Sequence, residues 1–325
     1  MAYDTPQNLT AAETAGFSAD KPMLVSQSLV SPTVARWNDA GTTTDAATTA
    51  ADGPAVRAFD NIGSLQTKDT SADLTARYLV FDIGASSTIS FDTCLILNHN
   101  LNSGGFNEIS LEVSDSADFA TGAGTTTKQI FKHSVSGTSD DRLLCTNLNT
   151  EANDASGDLS GTTGNAYSPS GTAQRYSGVR FVRVKITAAS GTARQAKIGE
   201  VWLGTRYQLQ RNPDVPWNNK DEFSQVTEFK ALSGLTRRYV HYRGQAVRNF
   251  RASISAAAEI TTIENWFNGI NEGTNPFLYV ETPSSAPEAY LMILDTPSLS
   301  FPLAGPFERI LTFSMTEQPP YLSRE

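Results

Sequence analysis

Residues 108–114 read Glu108-Ile109-Ser110-Leu111-Glu112-Val113-Ser114, and polar and apolar side chains alternate throughout the stretch. Successive side chains of a β-strand point to opposite faces, so this alternation is the pattern of a strand with one buried face. Residues 180–186, Arg180-Phe181-Val182-Arg183-Val184-Lys185-Ile186, repeat the pattern. The two stretches predict strands of a β-sandwich.

Other segments extend this prediction along the chain. Leu24–Val34 and Arg77–Asp82 read as strands, and Thr88–Leu97 ends in an apolar run typical of a central strand. Trp37 and Phe59 are expected to anchor loops against the core. Further strand-like segments, the last at Phe307–Thr316, follow in the C-terminal part.

One helix is predicted, at residues 256–270. Its apolar residues recur at helical spacing, and they are Ile260, Ile263, Trp266, Phe267 and Ile270. Ser255 is a candidate N-cap, and Gly269 and Gly273 mark the end. The chain of 325 residues is therefore predicted to be all-β with two domains, residues 1–205 and 221–325, joined by a linker at 206–220.

Composition excludes several classes of protein. The chain has 25 basic and 34 acidic residues, a formal charge of -9, which argues against a dedicated nucleic-acid-binding surface. Charged residues are only 18% of the chain, which argues against charge-driven disorder. The N-terminus lacks the pattern of a secretion signal and no long apolar run suggests a membrane span, so synthesis in a cytoplasm is expected.

The cysteines and histidines give little sign of redox or metal chemistry. Cys94 and Cys145 both lie beside apolar residues and are interpreted as small core residues, with a disulfide as the alternative. The histidines, His99, His133 and His241, lack the spacing of a zinc site. No metal and no cofactor is predicted.

Two acidic clusters are weak candidates for a cation loop. In Ser114–Asp118 two carboxylates follow a strand, a pattern shared by cation loops and by ordinary Asp-stabilised turns, and the turn is favoured. Asp52, Asp60 and Asn61 form a second cluster of the same kind. No catalytic motif appears, and no carboxylate lies where an apolar cluster would raise its pKa, so the protein is predicted not to be an enzyme.

An arginine-rich segment is the most informative charged feature. No acidic residue lies between Glu228 and Glu259, and two predicted strands there share arginines and tyrosines. Arginine and tyrosine are enriched in subunit interfaces, although phosphate contacts with base stacking and a solvated sheet face are alternatives. The predicted subunit interface consists of Arg237, Arg238, Tyr239, Tyr242, Arg243, Arg248 and Arg251.

Residues 60–203 resemble the galactose-binding-like (discoidin or F5/8 type C) jelly roll. The matching stretches are Tyr78–Gly84, Ile109–Phe119, Val179–Val184 and Ile198–Leu203. The resemblance implies a jelly-roll β-sandwich in the N-terminal domain, with any ligand held by loops at one end. On that basis His99, Asn100 and Asn102, in the loop after a predicted strand, are the candidate glycan contacts.

The C-terminal part, with its strands, one helix and the ending Phe307–Gln318, resembles the tail-tube or distal-tail β-sandwich of long-tailed bacteriophages. This resemblance implies a smaller β-sandwich that carries the helix and assembles into an oligomeric ring. The predicted function is therefore a virion structural protein, a minor tail or distal-tail component near the tail tip or baseplate. Its expected partners are copies of itself and other virion tail proteins.

Three alternatives remain open at this level. The jelly roll could make the chain a receptor- or glycan-binding module that recognises a host surface glycan. The protein could instead be a capsid or neck decoration protein. A glycan-degrading enzyme would need two working carboxylates at a suitable distance.

Overall fold

The structure is a computed structural model of the chain. It describes residues 7–8, 21–28, 32–38, 54–59, 66–69, 76–84, 89–101, 106–119, 127–134, 143–147, 176–188, 195–209, 212, 220–230, 236–254, 257–281, 288–304 and 308–318. Within these residues, no helix is long and apolar enough to cross a bilayer.

The protein is built almost entirely from strands, and the predicted all-β class is confirmed. In chain order the strands are β1 (Gln7–Asn8), β2 (Met23–Gln27), β3 (Val34–Asn38), β4 (Thr67–Lys68), β5 (Ala76–Asp82), β6 (Ile89–Phe91), β7 (Thr93–His99), β8 (Glu108–Ser114), β9 (Lys128–Ser134), β10 (Leu143–Asn147), β11 (Tyr176–Val179), β12 (Phe181–Thr187), β13 (Lys197–Gln208), β14 (Lys220–Lys230), β15 (Thr236–Ile254), β16 (Phe277–Val280), β17 (Glu288–Leu294) and β18 (Arg309–Glu317). A short 3-10 helix spans Ala55–Phe59, and one α-helix, α1, spans Ala257–Gly269.

The chain forms two compact units. One contains Gln27–Arg206, and the other contains Ala19–Ser26 and Tyr207–Pro320. We call them the N-terminal and the C-terminal unit.

The N-terminal unit contains a five-stranded antiparallel sheet in the order β3-β5-β12-β8-β9. Alternate residues of its strands enter one core, which also contains Trp37 of β3 and Phe59 of the 3-10 helix. The inward-facing residues of β8 are Ile109, Leu111 and Val113, as the period-two pattern predicts.

A second layer closes this core from the other side. Its strands lie in the order β10-β7-β13, and β4 pairs with the start of β13. Cys94 and Ile96 of β7 and Val201 and Leu203 of β13 enter the same core as the five-stranded sheet. Two sheets that share one core form a β-sandwich.

The C-terminal unit is an antiparallel sheet with a helix on it. Strands β2, β16, β17, β18, β15 and β14 lie side by side in that order, and β1 pairs with the start of β17. Helix α1 packs on this sheet because Ile263 and Trp266 are fully buried among its aromatic residues. The predicted helix at residues 256–270 agrees with α1 within one residue at each end.

Helix α1 ends where close packing and left-handed backbone require it. A Cβ at Gly269 would lie 2.7 Å from Oγ of Ser26 in β2, so only glycine fits there. Asn271, Glu272 and Gly273 follow with φ values of 51, 54 and 86°. Because the left-handed region is open mainly to glycine and asparagine, these residues stop the helix.

The N-terminal segment agrees with its prediction in part. Leu24–Val34 was predicted to hold one strand, and the structure has β2 there, with β3 beginning at Val34. Trp37 lies within β3 and is fully buried, instead of anchoring a loop. Strand β2 pairs with β16, which is distant in sequence, so no local pattern reveals the pairing. The domain bounds 1–205 and 221–325 stay a prediction.

The region from Arg206 to Arg251 also differs in detail. Strand β13 continues to Gln208 into the predicted linker, and β14 begins at Lys220. The two strands predicted on either side of Gly244 are one strand, β15, of 19 residues.

The cysteines favour the core interpretation. Cys94 is a free, buried thiol, and burial raises its pKa to about 12. Cys145 lies opposite Leu95 in the β10–β7 register, not opposite Cys94.

Candidate functional site

The candidate site lies at the end of the jelly roll where β7 finishes. Strand β13 runs between β7 and β4 at this end, with Ile198 opposite both His99 and Thr67. In the core below, Nε1 of Trp37 donates a hydrogen bond of 2.9 Å to Oγ1 of Thr67. The short strand β4 is therefore tied to the buried core, and the site is built on rigid strands.

Asn98 gives this end its shape. Its φ of 48° lies in the left-handed region, which asparagine tolerates better than most residues. Cys94 and Ile96 face the core before Asn98, and Leu101, beyond the end of β7, faces it afterwards. Both faces of β7 are buried, with Leu95 and Leu97 exposed by 0% and 4%, and His99 is likewise only 5% exposed.

Gln66, the residue before β4, makes a hydrogen bond to Asn98. Nε2 of Gln66 donates to the carbonyl oxygen of Asn98 at 2.9 Å and lies 3.2 Å from its Oδ1. In the strand register Gly199 of β13 lies between them. A glycine at this position leaves room for the Gln66 side chain to reach across β13.

Asn100 closes the same end. Its Nδ2 donates to the carbonyl oxygen of Gln195 at 2.8 Å, and its Oδ1 accepts a bond of 2.8 Å from the backbone N–H of Lys197. Both ends of the amide are thus engaged with the segment that leads into β13.

His99 is held in a similar way. Its Nδ1 accepts a hydrogen bond from the backbone N–H of Leu101 at 3.3 Å. The sequence predicted His99 and Asn100 as glycan contacts. In the structure both side chains make hydrogen bonds to the protein's own backbone at this end of the sheet. Asn102 lies outside the described residues, and the glycan role of all three stays a prediction.

Four half-exposed polar side chains form the outward surface of this end. They are Gln66, Lys68, Asn98 and Lys197, and we call them the amide–lysine patch. Lys68 and Lys197 lie directly opposite each other in the β4–β13 register. The four residues of the patch thus include two lysines and no carboxylate.

Sequence reasoning missed Gln66, Lys68 and Lys197. Strand β4 is only two residues long, so it has no periodicity that would reveal it. The one available signal was the Asn98–Asn102 segment, because asparagine is enriched in left-handed conformations.

The outer face of the five-stranded sheet is occupied by internal contacts. The Arg183 guanidinium lies 5.1 Å from the ring centre of Tyr78 and 4.5 Å from that of Phe119. It also pairs with Glu112 at 2.5 Å. Phe119, with a φ of 49°, folds over this face and packs against Val80 and Phe181. Tyr78 is consequently engaged by cations of its own sheet.

Carboxylates at the opposite end are also paired. Asp82 accepts two hydrogen bonds from Arg180, at 2.9 and 3.0 Å. The bonds from Arg180 hold the pKa of Asp82 below its usual value, assisted by the backbone N–H of Gly84 and opposed by burial. A low pKa suits a structural ion pair and not a general acid.

The two predicted cation clusters gain no support. In Ser114–Asp118, Oγ of Ser116 donates to Oδ1 of Asp118 at 2.6 Å and the N–H of Ser116 bonds to Oγ of Ser114 at 3.0 Å, as in a turn. Asp52, Asp60 and Asn61 lie outside the described residues. In the part of the chain that is described, no group of three or more His, Cys, Asp or Glu is placed to hold a metal ion.

The arginine-rich segment is one strand, β15, and its residues do not share one face. Arg248 is 2% exposed and lies on the same side as Phe250 and Ala252, which face the core. It pairs with Glu281 at 2.6 Å and with the hydroxyl of Tyr290 at 2.9 Å. Arg251 has the opposite parity and is half-exposed.

Arg248 and Arg251 therefore lie on opposite faces of β15, because a strand turns successive side chains to opposite sides. The side chains of Arg237, Arg238, Tyr239, Tyr242 and Arg243 lie outside the described residues. Their role in a subunit interface stays a prediction.

The chain was compared with known proteins. No family model and no curated protein matches it. Solved structures do match. A chitosan-binding module 1 of a chitosanase/glucanase from Paenibacillus sp. IK-5 is 14% identical, with a TM-score of 0.34, over 54% of this chain and 97% of that one. The family 32 module of Clostridium perfringens NanJ, in complex with galactose, is 11% identical, with a TM-score of 0.33, over 55% of this chain and 98% of that one.

A third match is the CBM32-3 module of a family 31 glycoside hydrolase from Clostridium perfringens, 8% identical with a TM-score of 0.31, over 61% of this chain and 94% of that one. These structures are carbohydrate-binding modules. The β-sandwich that the resemblance implies for the N-terminal unit is present as two sheets that share one core. The resemblance of the C-terminal part to a phage tail protein is not shown and stays a prediction.

Proposed function

We propose that this protein is a non-catalytic glycan-binding protein whose jelly-roll unit binds sugar at the amide–lysine patch. The observation that carries the proposal is the left-handed Asn98, held by Gln66 at the end of β7. A strained residue that its neighbours hold in place is a feature of binding sites. Here it groups amide and ammonium donors on one outward surface of rigid strands.

The chemistry of the patch suits hydroxyl-rich ligands. Amide groups both donate and accept hydrogen bonds, and lysine ammonium groups donate up to three. Sugars offer hydroxyl and ring oxygens that match such groups. Chitosan and galactose are ligands of two modules named above, but the proposal for this chain rests on its own patch.

The charge of the patch selects among glycans. The patch's own residues include two lysines, Lys68 and Lys197, and no carboxylate, so we expect it to disfavour a protonated aminosugar. Neutral or acidic glycans meet no such repulsion. We therefore propose neutral or uronic-acid-containing glycans as the ligand class, not chitosan.

A role without catalysis is part of the proposal. The carboxylates described in the jelly roll include Asp69, Asp82 and Glu112, and each is paired with an arginine. Arg180 holds the pKa of Asp82 below its usual value, whereas glycoside hydrolysis needs one acid with a raised pKa. Release of reducing sugar from a bound polysaccharide would contradict this part.

The test is a binding titration of the full chain against neutral, acidic and cationic oligosaccharides. We expect Gln66→Ala and Lys197→Ala each to raise the Kd about tenfold, the loss of one hydrogen bond of about 1.4 kcal/mol. Lys185→Ala is the matched control, because Lys185 lies on the outer face of the other sheet beside Tyr78.

The three variants must keep the wild-type melting temperature for the comparison to hold. Binding of chitosan oligomers in preference to neutral ones would overturn the proposed ligand class. Equal Kd values for wild type, Gln66→Ala and Lys197→Ala would show that any glycan binds elsewhere.

A second candidate function is a structural subunit of a bacteriophage virion, in the tail tip or baseplate or as a capsid or neck decoration protein. The observation that favours an assembly role is the long pair of strands β14 and β15, whose outer edges are open in the described chain. Immunogold labelling of purified particles tests it. We expect label at one end of the tail; unlabelled particles would contradict the virion role.

A further inference from the structure

Strands β14 and β15 form a ribbon that extends beyond the rest of their sheet. They pair from Lys220 opposite Arg248 to Lys230 opposite Thr236. Strand β18 joins β15 only from Val247 to Ile254. Within the described residues, the section of β15 from 236 to 246 therefore has β14 as its single neighbour, and β14 is the last strand of the sheet.

A ribbon of two strands is a marginal structure by itself. Two-stranded hairpins are at best weakly stable in water, and each open edge presents unpaired N–H and C=O groups. Strand β14 has 11 residues, so its open edge is about 35 Å long. Short edge strands protect most sheets from unwanted pairing, and β14 is not short.

In the described chain, β18 does not reach the open edge of β15. In the β15–β18 register, Val247 lies opposite Thr316, so a longer β18 would run along residues 246 and below. Gln318, which follows β18, donates its N–H to the carbonyl oxygen of Leu291 at 2.8 Å, on the β17 side. Pro319 and Pro320 follow, and proline has no N–H to continue a ladder.

The two open edges belong to strands of opposite charge. The section of β15 from 236 to 246 contains three arginines and no acidic residue. Strand β14 contains Asp221, Glu222 and Glu228 against Lys220 and Lys230. Because opposite charges across neighbouring strands are favourable and like charges are not, each edge is better matched to the other edge than to itself.

We propose that copies of this chain associate head to tail by strand addition. The outer edge of β14 in one copy pairs with the open edge of β15, residues 236–246, in the next copy. The arginine-rich strand then lies between two acidic strands. Each copy keeps one unused edge of each kind, so the contact repeats, and it gives a ring if the rotation closes.

This inference deepens the assembly role and is independent of glycan binding. A copy without a functional amide–lysine patch would still assemble, and a monomeric variant would still bind sugar. A negative binding titration would therefore leave the assembly proposal standing, and a negative assembly experiment would leave the glycan proposal standing.

Assembly is tested on the wild-type chain by light scattering and hydrogen exchange over a range of concentrations. We expect particles of more than two copies, and amides of residues 236–246 that become protected as they form. Residues 247–254 serve as the internal control, because β18 already pairs with them within one copy and their protection should not depend on concentration. A monomer at every concentration, or a species that stops at two copies, would overturn the head-to-tail contact.

The charge argument is tested with a pair of variants. Glu222→Lys with Glu228→Lys makes β14 basic, and we expect the association constant to fall at least about tenfold at low salt. The control pair, Glu264→Lys with Glu272→Lys, changes the net charge by the same amount as the β14 pair. Its two positions are exposed and lie in α1 and in the turn after it. Equal weakening in both pairs would show that net charge alone, and not the edge of β14, controls assembly.

Discussion

At the scale of single residues, the jelly roll depends on charges paired in its interior. Arg77 is the second residue of β5 and Asp69 follows β4, and the two side chains pair with exposures of 2% and 0%. Asp69 also bonds through its N–H to the carbonyl oxygen of Ala196 at 3.0 Å. A buried charge is tolerated only with its partner, so removal of one side chain leaves the other desolvated and uncompensated.

We expect Arg77→Met to lower the free energy of unfolding by about 3–5 kcal/mol, because Asp69 remains buried without its cation. The double variant Arg77→Met with Asp69→Leu should lose less than the sum of the two single variants, because no unpaired charge remains. Urea denaturation measures all four free energies. Additive losses would show that the two side chains do not stabilise each other.

At the scale of elements, helix α1 holds the C-terminal unit together through one aromatic residue. The Trp266 ring meets Phe277 edge to face with centroids 4.9 Å apart, and it lies 5.5 Å from Phe313 of β18. Phe313 in turn stacks on Phe250 of β15 at 4.8 Å. One side chain of the helix thus contacts two strands that are distant from each other in the sequence.

We expect Trp266→Ala to cost about 3–5 kcal/mol of stability, the usual loss for a large aromatic residue in a packed core. Asn265→Ala is the matched control, because Asn265 is the exposed neighbour on the same helix. It should change stability by less than about 0.5 kcal/mol. Chemical denaturation followed by circular dichroism compares the two, and similar losses would contradict the packing role of Trp266.

At the scale of the whole molecule, the chain has two compact units with separate hydrophobic cores. Arg77 belongs to the N-terminal unit and Trp266 to the C-terminal unit. Domains with their own cores generally unfold as separate cooperative units.

We therefore expect two transitions in differential scanning calorimetry of the full chain. Arg77→Met should lower the midpoint of one transition by several degrees, and Trp266→Ala that of the other. Glycan should raise only the transition that Arg77→Met lowers, because ligand stabilises the unit that binds it. One transition that both variants shift together would show that the two cores unfold as one.

The sequence by itself determined the elements whose pattern is local. Strand β8 spans Glu108–Ser114 and helix α1 spans Ala257–Gly269, close to their predictions, because side-chain periodicity depends only on neighbours along the chain. His99, predicted to lie in a loop, is the last residue of β7, and Asn100 follows it, while the glycan role of both stays a prediction.

The tertiary structure alone decided which distant segments meet. The pairing of β2 with β16, the hydrogen bond from Gln66 to Asn98 and the pairing of Arg248 with Glu281 all depend on partners that are not adjacent in the chain. Such contacts form because strand edges and buried charges must be satisfied by whatever the fold brings near. A pattern along the sequence records which face of a strand is apolar, and it does not record which strand will lie beside it.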